Sequence, residues 1–225
     1  NSFRLKTKML QPLKGLPIID WVITRVTRSL MLDKIMITLP IQDRGSLLHK
    51  TIAKYNLSVK FGDENDLVQR YLKCLEGQKA YSMVRICADN PLICPLSIDK
   101  LIDFYKRNNS DYAFNNMPVK KQYRNKYPDG LGAEICSKDV VEWTKKNAKT
   151  RLQKEHFFQS LFEIQNDIKI STFDPSPELF YPSLNLDVDV YEDLMFLEKF
   201  DMSPDMQTTE IFERNAELVL HWRFN

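Results

Sequence analysis

The stretch 83–95 reads MVRICADNPLICP, and its pattern decides the fold. Val84, Ile86 and Ala88 alternate with polar or small residues, which is the period of a β-strand. Asp89 follows this strand, and the Asn-Pro pair after it favours an extended, turning backbone. Ligands of open α/β sheets bind outside the carboxyl ends of the strands, so a carboxylate there is well placed to hold a divalent cation against a polyphosphate. The alternative is an Asx-turn, in which Asp89 only accepts hydrogen bonds from backbone amides.

Strand and helix patterns alternate on both sides of this stretch. Strands are predicted over 34–39, 57–61, 83–88, 111–117, 168–173 and 184–188. Helices are predicted over 16–29, 43–55 (capped by Asp43), 64–75, 97–107 (capped by Ser97), 138–148, 154–165, from 192, and over 203–222. A strand and a helix repeated at intervals of roughly 25 residues are typical of a parallel sheet wrapped by helices. We therefore predict one α/β domain over 1–225, with three α/β/α layers around a mostly parallel sheet.

Two features interrupt this order. Residues 120–129 (KKQYRNKYPD) are polar and aromatic, and the excursion over 118–136 is expected to act either as a dimer contact or as a lid. The chain also opens on a polar loop, where an α/β sheet would normally supply a strand. We therefore expect about 10 native residues before this loop, which would add a central strand to the sheet.

Composition limits the classes of function. The 225 residues carry 32 Lys and Arg against 30 Asp and Glu, a balance too even to predict attraction to nucleic acid or to a membrane surface. The four cysteines lack C-x-x-C spacing and lie in apolar segments, which favours free thiols in a reducing compartment. The chain has no apolar run of about 18 residues and no secretion signal pattern, so a cytoplasmic location is expected.

A basic loop opens the chain. Ser2, Arg4, Lys6 and Lys8 fall within seven positions. Arginine offers a fork of donors to phosphate oxygens and lysine a point charge, so such a loop can bind a triphosphate without the G-x-x-x-x-G-K pattern, which is absent. The alternative is a solvated terminus without a ligand.

A second acidic pattern lies at 185–189 (NLDVD), a predicted strand that ends in carboxylates. Asp187 and Asp189 point to the same side of that strand. Asp89 and Asp189 would form a magnesium site if their strands are close in the sheet. The alternative for Asp189 is that it caps the helix that follows, where Glu192 and Asp193 favour the helix dipole.

Six short motifs occur in the same order as in a known family, along nearly the whole chain. They comprise Ser2, Arg4, Leu5, Lys8 and Leu10; Gly62, Asp66, Arg70 and Tyr71; Val84, Arg85, Ile86, Asp89, Pro91, Leu92 and Ile93; Tyr127 to Leu131 with Glu134; Glu155 and His156; and Val188, Asp189 and Glu192 to Leu194. In this the chain resembles the cytidylyltransferases, which include the CMP-KDO synthetases, the CMP-sialic acid synthetases and the spore-coat polysaccharide biosynthesis protein F group. The resemblance implies a nucleotide-diphospho-sugar transferase type of α/β fold.

The resemblance also implies a reaction, in which a sugar hydroxyl or sugar phosphate attacks the α-phosphorus of CTP and releases pyrophosphate. Cations in fixed positions are the main requirement of such a transfer. The implied partners are CTP and a sugar, the implied cofactor is Mg²⁺, and a homodimer is expected. The implied roles are catalysis by Arg4, Lys8 and Asp89; nucleotide binding by Ser2, Arg4, Lys8, Thr38, Gly62, Arg70 and Asp89; sugar binding by Tyr127, Asp129, Glu134 and His156; and metal binding by Asp89 and Asp189.

Two of these motif residues carry a further expectation. Arg70 pairs either with a ligand or carboxylate, or with Asp66 on its own helix. Arg85 must have a partner if it is buried.

The chain departs from the family pattern at several positions. Lys6-Thr7 replaces a Pro-Gly pair, Phe61 replaces an arginine, Gly132 replaces an aspartate, and Gln153-Lys154 replaces a basic pair. These departures would suit a non-catalytic binding module, which is one alternative to the transfer reaction. A second alternative rests on the D-x-D triplet 187–189, which would suit a glycosyltransferase that binds a nucleotide sugar. The identity of the sugar stays open, and so does the choice between CTP and another triphosphate.

Overall fold

A computed structural model describes residues 7–115, 125–157, 159–164 and 167–220. The strands are β1 (Pro12–Leu13), β2 (Leu16–Pro17), β3 (Met36–Pro40), β4 (Ser58–Gly62), β5 (Ser82–Arg85), β6 (Tyr112–Phe114), β7 (Glu134–Ser137) and β8 (Ile170–Thr172). The helices are α1 (Ile18–Val26), α2 (Leu47–Ala53), α3 (Leu67–Leu75), α4 (Pro95–Asn108), α5 (Lys138–Asn147), α6 (Arg151–Glu155), α7 (Gln159–Glu163), α8 (Tyr191–Leu197), α9 (Thr208–Arg214) and α10 (Ala216–Leu220). Short 3₁₀ turns lie at Lys8–Leu10, Ile41–Asp43 and Pro177–Leu179.

The strands form a hairpin and two sheets in the described ranges. β1 and β2 pair as an antiparallel hairpin, β3 and β4 as a parallel pair, and the remaining strands lie in the order β5-β7-β6-β8. In that sheet β6 and β8 are parallel, whereas β7 runs antiparallel to both of its neighbours. The α/β class is confirmed, but the expectation of a mostly parallel sheet does not hold for the four-stranded sheet, because β7 enters between β5 and β6 in the reverse direction.

Helix α1 connects the two sheets through its packing. Ile18, Trp21 and Val22 belong to the large core cluster that contains residues of the four-stranded sheet. Ile19 and Ile23, on the other side of α1, belong to the cluster that covers β3 and β4. Both sheets are thus held against one helix, and burial of these apolar side chains stabilises that arrangement.

Several predicted element ends were wrong, and each error has a local cause. Ser46, not Asp43, caps α2, since its side chain accepts a hydrogen bond from the His49 amide. α4 begins at Pro95, because proline suits the first turn, and Ser97 therefore lies inside the helix. The predicted helices over 154–165 and 203–222 are each split, into α6 and α7 and into α9 and α10.

No helix in the described ranges combines the length and the apolar character that crossing a membrane requires. The proposed excursion 118–136 lies partly outside the described residues, and its predicted roles as lid or dimer contact stay predictions.

Candidate active site

Three chain segments meet at the end of β5 and its neighbours. The Val188 amide donates to the Asp89 carbonyl at 2.9 Å, and the Leu186 amide donates to the Asp129 carbonyl at 3.1 Å. The predicted strand 184–188 was wrong, since it forms a single bridge between Asn185 and Asp129. Its backbone amides donate to two different segments, those of Asp89 and Asp129, so no continuous ladder forms. The segments of Asp89, Asp129 and 184–188 therefore lie side by side, together with their carboxylates.

Gly130 makes the close approach of two of these segments possible. Its φ is +82°, and a Cβ there would lie 2.6 Å from the Asp187 nitrogen. Only glycine adopts this conformation without strain and leaves room for the neighbouring backbone. The glycine after Asp129 is therefore required by the construction of the site.

Lys8 joins the two predicted metal ligands. Its Nζ lies 2.8 Å from Asp89 Oδ2 and 2.9 Å from Asp189 Oδ1. Two aspartates 100 positions apart in the sequence therefore direct their carboxylates at one ammonium group. The sequence predicted that Asp89 and Asp189 come together, and the geometry agrees.

The two alternative roles for these aspartates are not observed. In the described ranges no backbone amide donates to the Asp89 side chain, so it forms no Asx-turn there. The start of α8 is capped by Asp193, whose Oδ2 accepts hydrogen bonds from the Asp189 and Val190 amides at 2.8 Å. The Asp189 carboxylate is therefore left to face Lys8.

Asp129 and Asp187 add two further carboxylates, which sequence reasoning did not assign to this cluster. Burial first, then Asp129, Asp189 and Asp89, raise the pKa of Asp187 to about 7. Burial also raises the pKa of Asp129, although its Oδ1 accepts a hydrogen bond from the Gly130 amide. The D-x-D spacing of 187–189 was the signal that could have placed Asp187 here.

Asp187→Asn is expected to stabilise the protein at pH 8 and to flatten its dependence on pH. The pKa of Asp187 is higher in the folded than in the unfolded chain, so the folded form keeps a proton that the unfolded chain has lost. This contribution is complete below about pH 4 and is lost as the pH rises through about 7. Thermal melts between pH 5 and pH 8 in EDTA should show the variant melting a few degrees higher at pH 8, since about 1 kcal/mol corresponds to about 2–4 °C here.

Asp103→Asn, an exposed position on α4, is the control for this experiment. It should melt as the parent does across the same pH range. A lower melting temperature for Asp187→Asn at pH 8, with an unchanged pH dependence, would contradict the expectation.

The carboxylates of Asp89 and Asp189 are close enough together to contact one cation, since both contact the Lys8 ammonium. In the described part of the chain, no set of three or more His, Cys, Asp or Glu side chains is arranged to hold a metal ion. Magnesium in nucleotide enzymes commonly has one or two carboxylate ligands and takes the others from phosphate and water. Two converging aspartates suit that mode of binding.

The predicted nucleotide contacts are only partly visible. Ser2 and Arg4 lie outside the described residues, whereas Lys8 is in the site. Thr7 has a φ of +53° in the left-handed region. That conformation is unfavourable for a β-branched residue. The Thr38 hydroxyl is buried beside the Cys74 thiol, under α3.

Arg70 and Gly62 are in contact at the carboxyl end of β4. A Cβ at Gly62 would lie 2.6 Å from Arg70 Cγ, so the glycine makes room for the arginine. The alternative pairing of Arg70 with Asp66 is not observed. Asp66 instead caps α3 through the Gln69 amide and accepts a hydrogen bond from Lys145 Nζ at 2.6 Å.

The four predicted sugar-binding residues do not share one surface. Tyr127 is 2% exposed, and burial raises its pKa to about 12. Glu134 is 8% exposed and forms an ion pair with Arg85, as expected for a buried arginine. Asp129 belongs to the carboxylate cluster, and His156 is exposed after the end of α6. Their roles in sugar binding stay predictions.

Two departures from the family pattern have a structural context. The Phe61 ring lies under the Arg44 guanidinium, 4.4 Å from its centroid. A Cβ at Gly132 would lie 1.9 Å from the Asn115 carbonyl oxygen, so a larger residue there requires the backbone to move. Glycine at 132 therefore allows this segment to approach the Asn115 backbone.

The family model for cytidylyltransferases matches residues 1–218, and the chain belongs to that family. It is a nucleotidyltransferase. Spore coat polysaccharide biosynthesis protein SpsF of Bacillus subtilis is 24% identical over 228 residues, which cover 94% of this chain and 88% of SpsF.

Two solved structures show the same fold. A cytidylyltransferase from Leptospira borgpetersenii superposes with a TM-score of 0.82 at 20% identity, covering 97% of this chain and 92% of that one. A CMP-KDO synthetase complexed with CTP superposes with a TM-score of 0.62 at 14% identity, covering 88% and 93%. The predicted family and fold type are thus confirmed.

Proposed function

We propose that this nucleotidyltransferase activates a sugar by Mg²⁺-dependent attack on the α-phosphate of CTP, with release of pyrophosphate, for the synthesis of a polysaccharide or another glycan. The observation that carries this proposal is the convergence of Asp89 and Asp189 on the Lys8 ammonium. The choice of CTP is supported by membership of the cytidylyltransferase family and by the fold shared with a synthetase complexed with CTP. The link to polysaccharide synthesis is supported by the likeness to SpsF.

In this mechanism a sugar oxygen forms a bond to the α-phosphorus while the bond from that phosphorus to the oxygen bridging the α- and β-phosphates breaks. Pyrophosphate leaves with the electron pair, and a hydroxyl acceptor releases its proton to solvent. Asp89 and Asp189 would hold Mg²⁺, which neutralises the charge that develops on the phosphate oxygens. Lys8 would bind the triphosphate next to them, since its ammonium already lies at the carboxylate pair. Arg4, on the same basic loop, is proposed as a second cation for the triphosphate.

The proposal is tested by pyrophosphate release. We expect release from CTP, in the presence of Mg²⁺, with one member of a panel of keto-acid sugars and sugar phosphates. ATP, GTP and UTP serve as comparisons with the same acceptors. Absence of release from any triphosphate with every acceptor, although the protein binds CTP, would favour the non-catalytic binding module.

CTP with Mg²⁺ is expected to stabilise the protein against heat. A ligand at 100 times its Kd adds about 2.7 kcal/mol to the free energy of unfolding. For a chain of this size about 1 kcal/mol corresponds to about 2–4 °C, so the melting temperature should rise by roughly 5–11 °C. Differential scanning fluorimetry with each triphosphate, with and without Mg²⁺, measures this. No shift with any triphosphate would contradict the proposal.

The glycosyltransferase alternative predicts a different ligand. It requires Asp187 and Asp189 to act together, yet only Asp189 contacts Lys8, and Asp187 Oδ1 is buried without a hydrogen-bond partner. Calorimetry that shows binding of a nucleotide sugar, but not of a free triphosphate, would favour it over the proposed reaction.

A further inference from the structure

One cross-strand ion pair marks the place where the ladder between β5 and β7 ends. Arg85 is the last residue of β5, Glu134 is the first residue of β7, and the two are partners in the register. The Arg85 guanidinium contacts Glu134 Oε2, and the two side chains are 18% and 10% exposed. The last rung of the ladder is therefore closed by two opposite charges that are largely removed from water.

Each of these two strands leads from this rung to an aspartate of the carboxylate cluster. Asp89 lies four positions after Arg85, and Asp129 lies five positions before Glu134. Within the described ranges the β5–β7 ladder stops at the rung, and the backbones of Asp89 and Asp129 bond instead to the segment 184–188. The rung is thus the point at which the two strands exchange each other for a shared third segment.

Both members of the pair are charged, and neither can be removed alone without cost. Burial lowers the pKa of Arg85, but the interaction with Glu134 prevails, so this pKa lies well above its usual value of 12.5. The Arg85 Nε also donates to the Tyr71 hydroxyl at 2.9 Å. Loss of one partner from a buried ion pair leaves an uncompensated charge, which holds the two side chains, and with them the two strands, together.

Stability alone does not explain a charged pair at this place. Apolar side chains of similar size commonly stabilise a fold as well as a buried ion pair does, or better. Sugar binding explains Glu134 poorly too, since this residue is 8% exposed and its carboxylate is directed at Arg85. What the pair supplies is a fixed position for the rung, because an ion pair has a defined partner and geometry whereas apolar contacts are adaptable.

We propose that Arg85 and Glu134 are positioning residues, whose ion pair fixes the point at which β5 and β7 separate and thereby how Asp89 and Asp129 lie against 184–188. The consequence for metal binding rests on the proposed function. Asp189 follows directly after this segment, so a displacement of the Asp89 backbone changes the separation of the carboxylates of Asp89 and Asp189.

The test is the double variant Arg85→Met with Glu134→Leu, which replaces the pair by apolar side chains. Its melting temperature should equal or exceed that of the parent. Mn²⁺ alone, measured by calorimetry, should nevertheless bind about 10-fold more weakly, since loss of groups that orient metal ligands commonly costs about 10–100-fold. The Val188 amide, which donates to the Asp89 carbonyl at 2.9 Å, should lose protection against hydrogen exchange measured by NMR.

Two further proteins complete the experiment. Asp103→Leu with Arg107→Met removes an exposed ion pair on α4 and should leave Mn²⁺ affinity and Val188 exchange as in the parent. Glu134→Gln keeps the shape of the side chain without its charge, and it serves if the double variant does not fold. It should melt at a lower temperature than the parent and, well below that temperature, show the same weaker Mn²⁺ binding and the same loss of protection.

The other outcomes each contradict the inference in a different way. A stable double variant with parental Mn²⁺ affinity and parental Val188 exchange would reduce the pair to a structural element. A higher KM for the acceptor sugar with unchanged Mn²⁺ affinity would assign Glu134 to sugar binding instead. If the parent binds neither Mn²⁺ nor any triphosphate, the proposed function is wrong, whereas Val188 exchange still decides whether the pair positions the Asp89 segment.

Discussion

Asp89→Asn is expected to reduce pyrophosphate release from CTP by about 1000-fold, the loss seen when a preorganised charge-stabilising group is removed from an active site. Asparagine has the shape of aspartate but no charge, so it weakens both the hold on the dication and the contact with Lys8. The backbone should be unaffected, because the Asp89 carbonyl, not its side chain, accepts the bond from the Val188 amide. Steady-state release, together with a thermal melt of the same protein, measures both effects.

Asp103→Asn is the matched control for this loss of charge. Asp103 lies on the exposed face of α4 and pairs only with Arg107, one turn away, among the described residues. Its replacement should leave the rate of pyrophosphate release within about twofold, since exposed pairs of this kind contribute little. Turnover that survives in Asp89→Asn would remove Asp89 from the metal-binding role.

Lys8→Met is expected to change the binding of metal and of nucleotide in opposite directions. The Lys8 ammonium occupies the position between Asp89 and Asp189 that a dication would take. Without it, the two carboxylates repel each other and attract a metal ion more strongly, so Mn²⁺ alone should bind about 10-fold more tightly. CTP should bind about 10-fold or more weakly, because a cation that contacts the triphosphate has been removed.

The Lys8 side chain stays protonated in the working range of pH. Burial lowers the pKa of Lys8, but Asp89 and Asp189 together raise it above its usual value of 10.5. A raised lysine pKa stabilises the folded state at pH values below the unfolded pKa, and this is lost only as the pH rises through the higher folded value. If the site binds Mg²⁺ as proposed, the lysine would therefore leave the carboxylates by exchange with the metal ion and not by deprotonation.

Calorimetry of Mn²⁺ alone, and of CTP with Mg²⁺, provides both measurements on each protein. Lys106→Met, at an exposed lysine on α4, should leave both affinities as in the parent. If Lys8→Met weakened metal and nucleotide binding alike, the lysine would be a structural element of the site and the proposed exchange would be wrong.

Many of the site residues could be predicted from the sequence, because they lie in short local patterns of residue types. Three local patterns each indicated a kind of ligand: the strand alternation before Asp89, the acidic end of 185–189 and the basic loop that opens the chain. The carboxylates of Asp89 and Asp189 converge as predicted, and both contact Lys8. The sugar-binding assignments rested on motif position alone, and Tyr127 and Glu134 lie in buried positions that the motif does not reveal.

Three matters depended on contacts between distant segments. The direction of β7 is set by the strands on either side of it, and no local propensity distinguishes a parallel from an antiparallel partner. The predicted strand over 184–188 fails because two other segments share its hydrogen bonds. Asp193 displaces Asp189 as the cap of α8 because Asp189 is drawn towards Lys8.

By itself, the sequence determined the α/β class, the family and the pair of aspartates, because each depends on residue types at fixed spacings. Only the tertiary structure decided which charges are paired. It gave Arg25 and Arg85 internal partners, and it left Arg70 Nε without an acceptor among the described residues. The physical reason is that the state of a charge is set by burial and by neighbours within a few ångströms, and these come from remote parts of the chain.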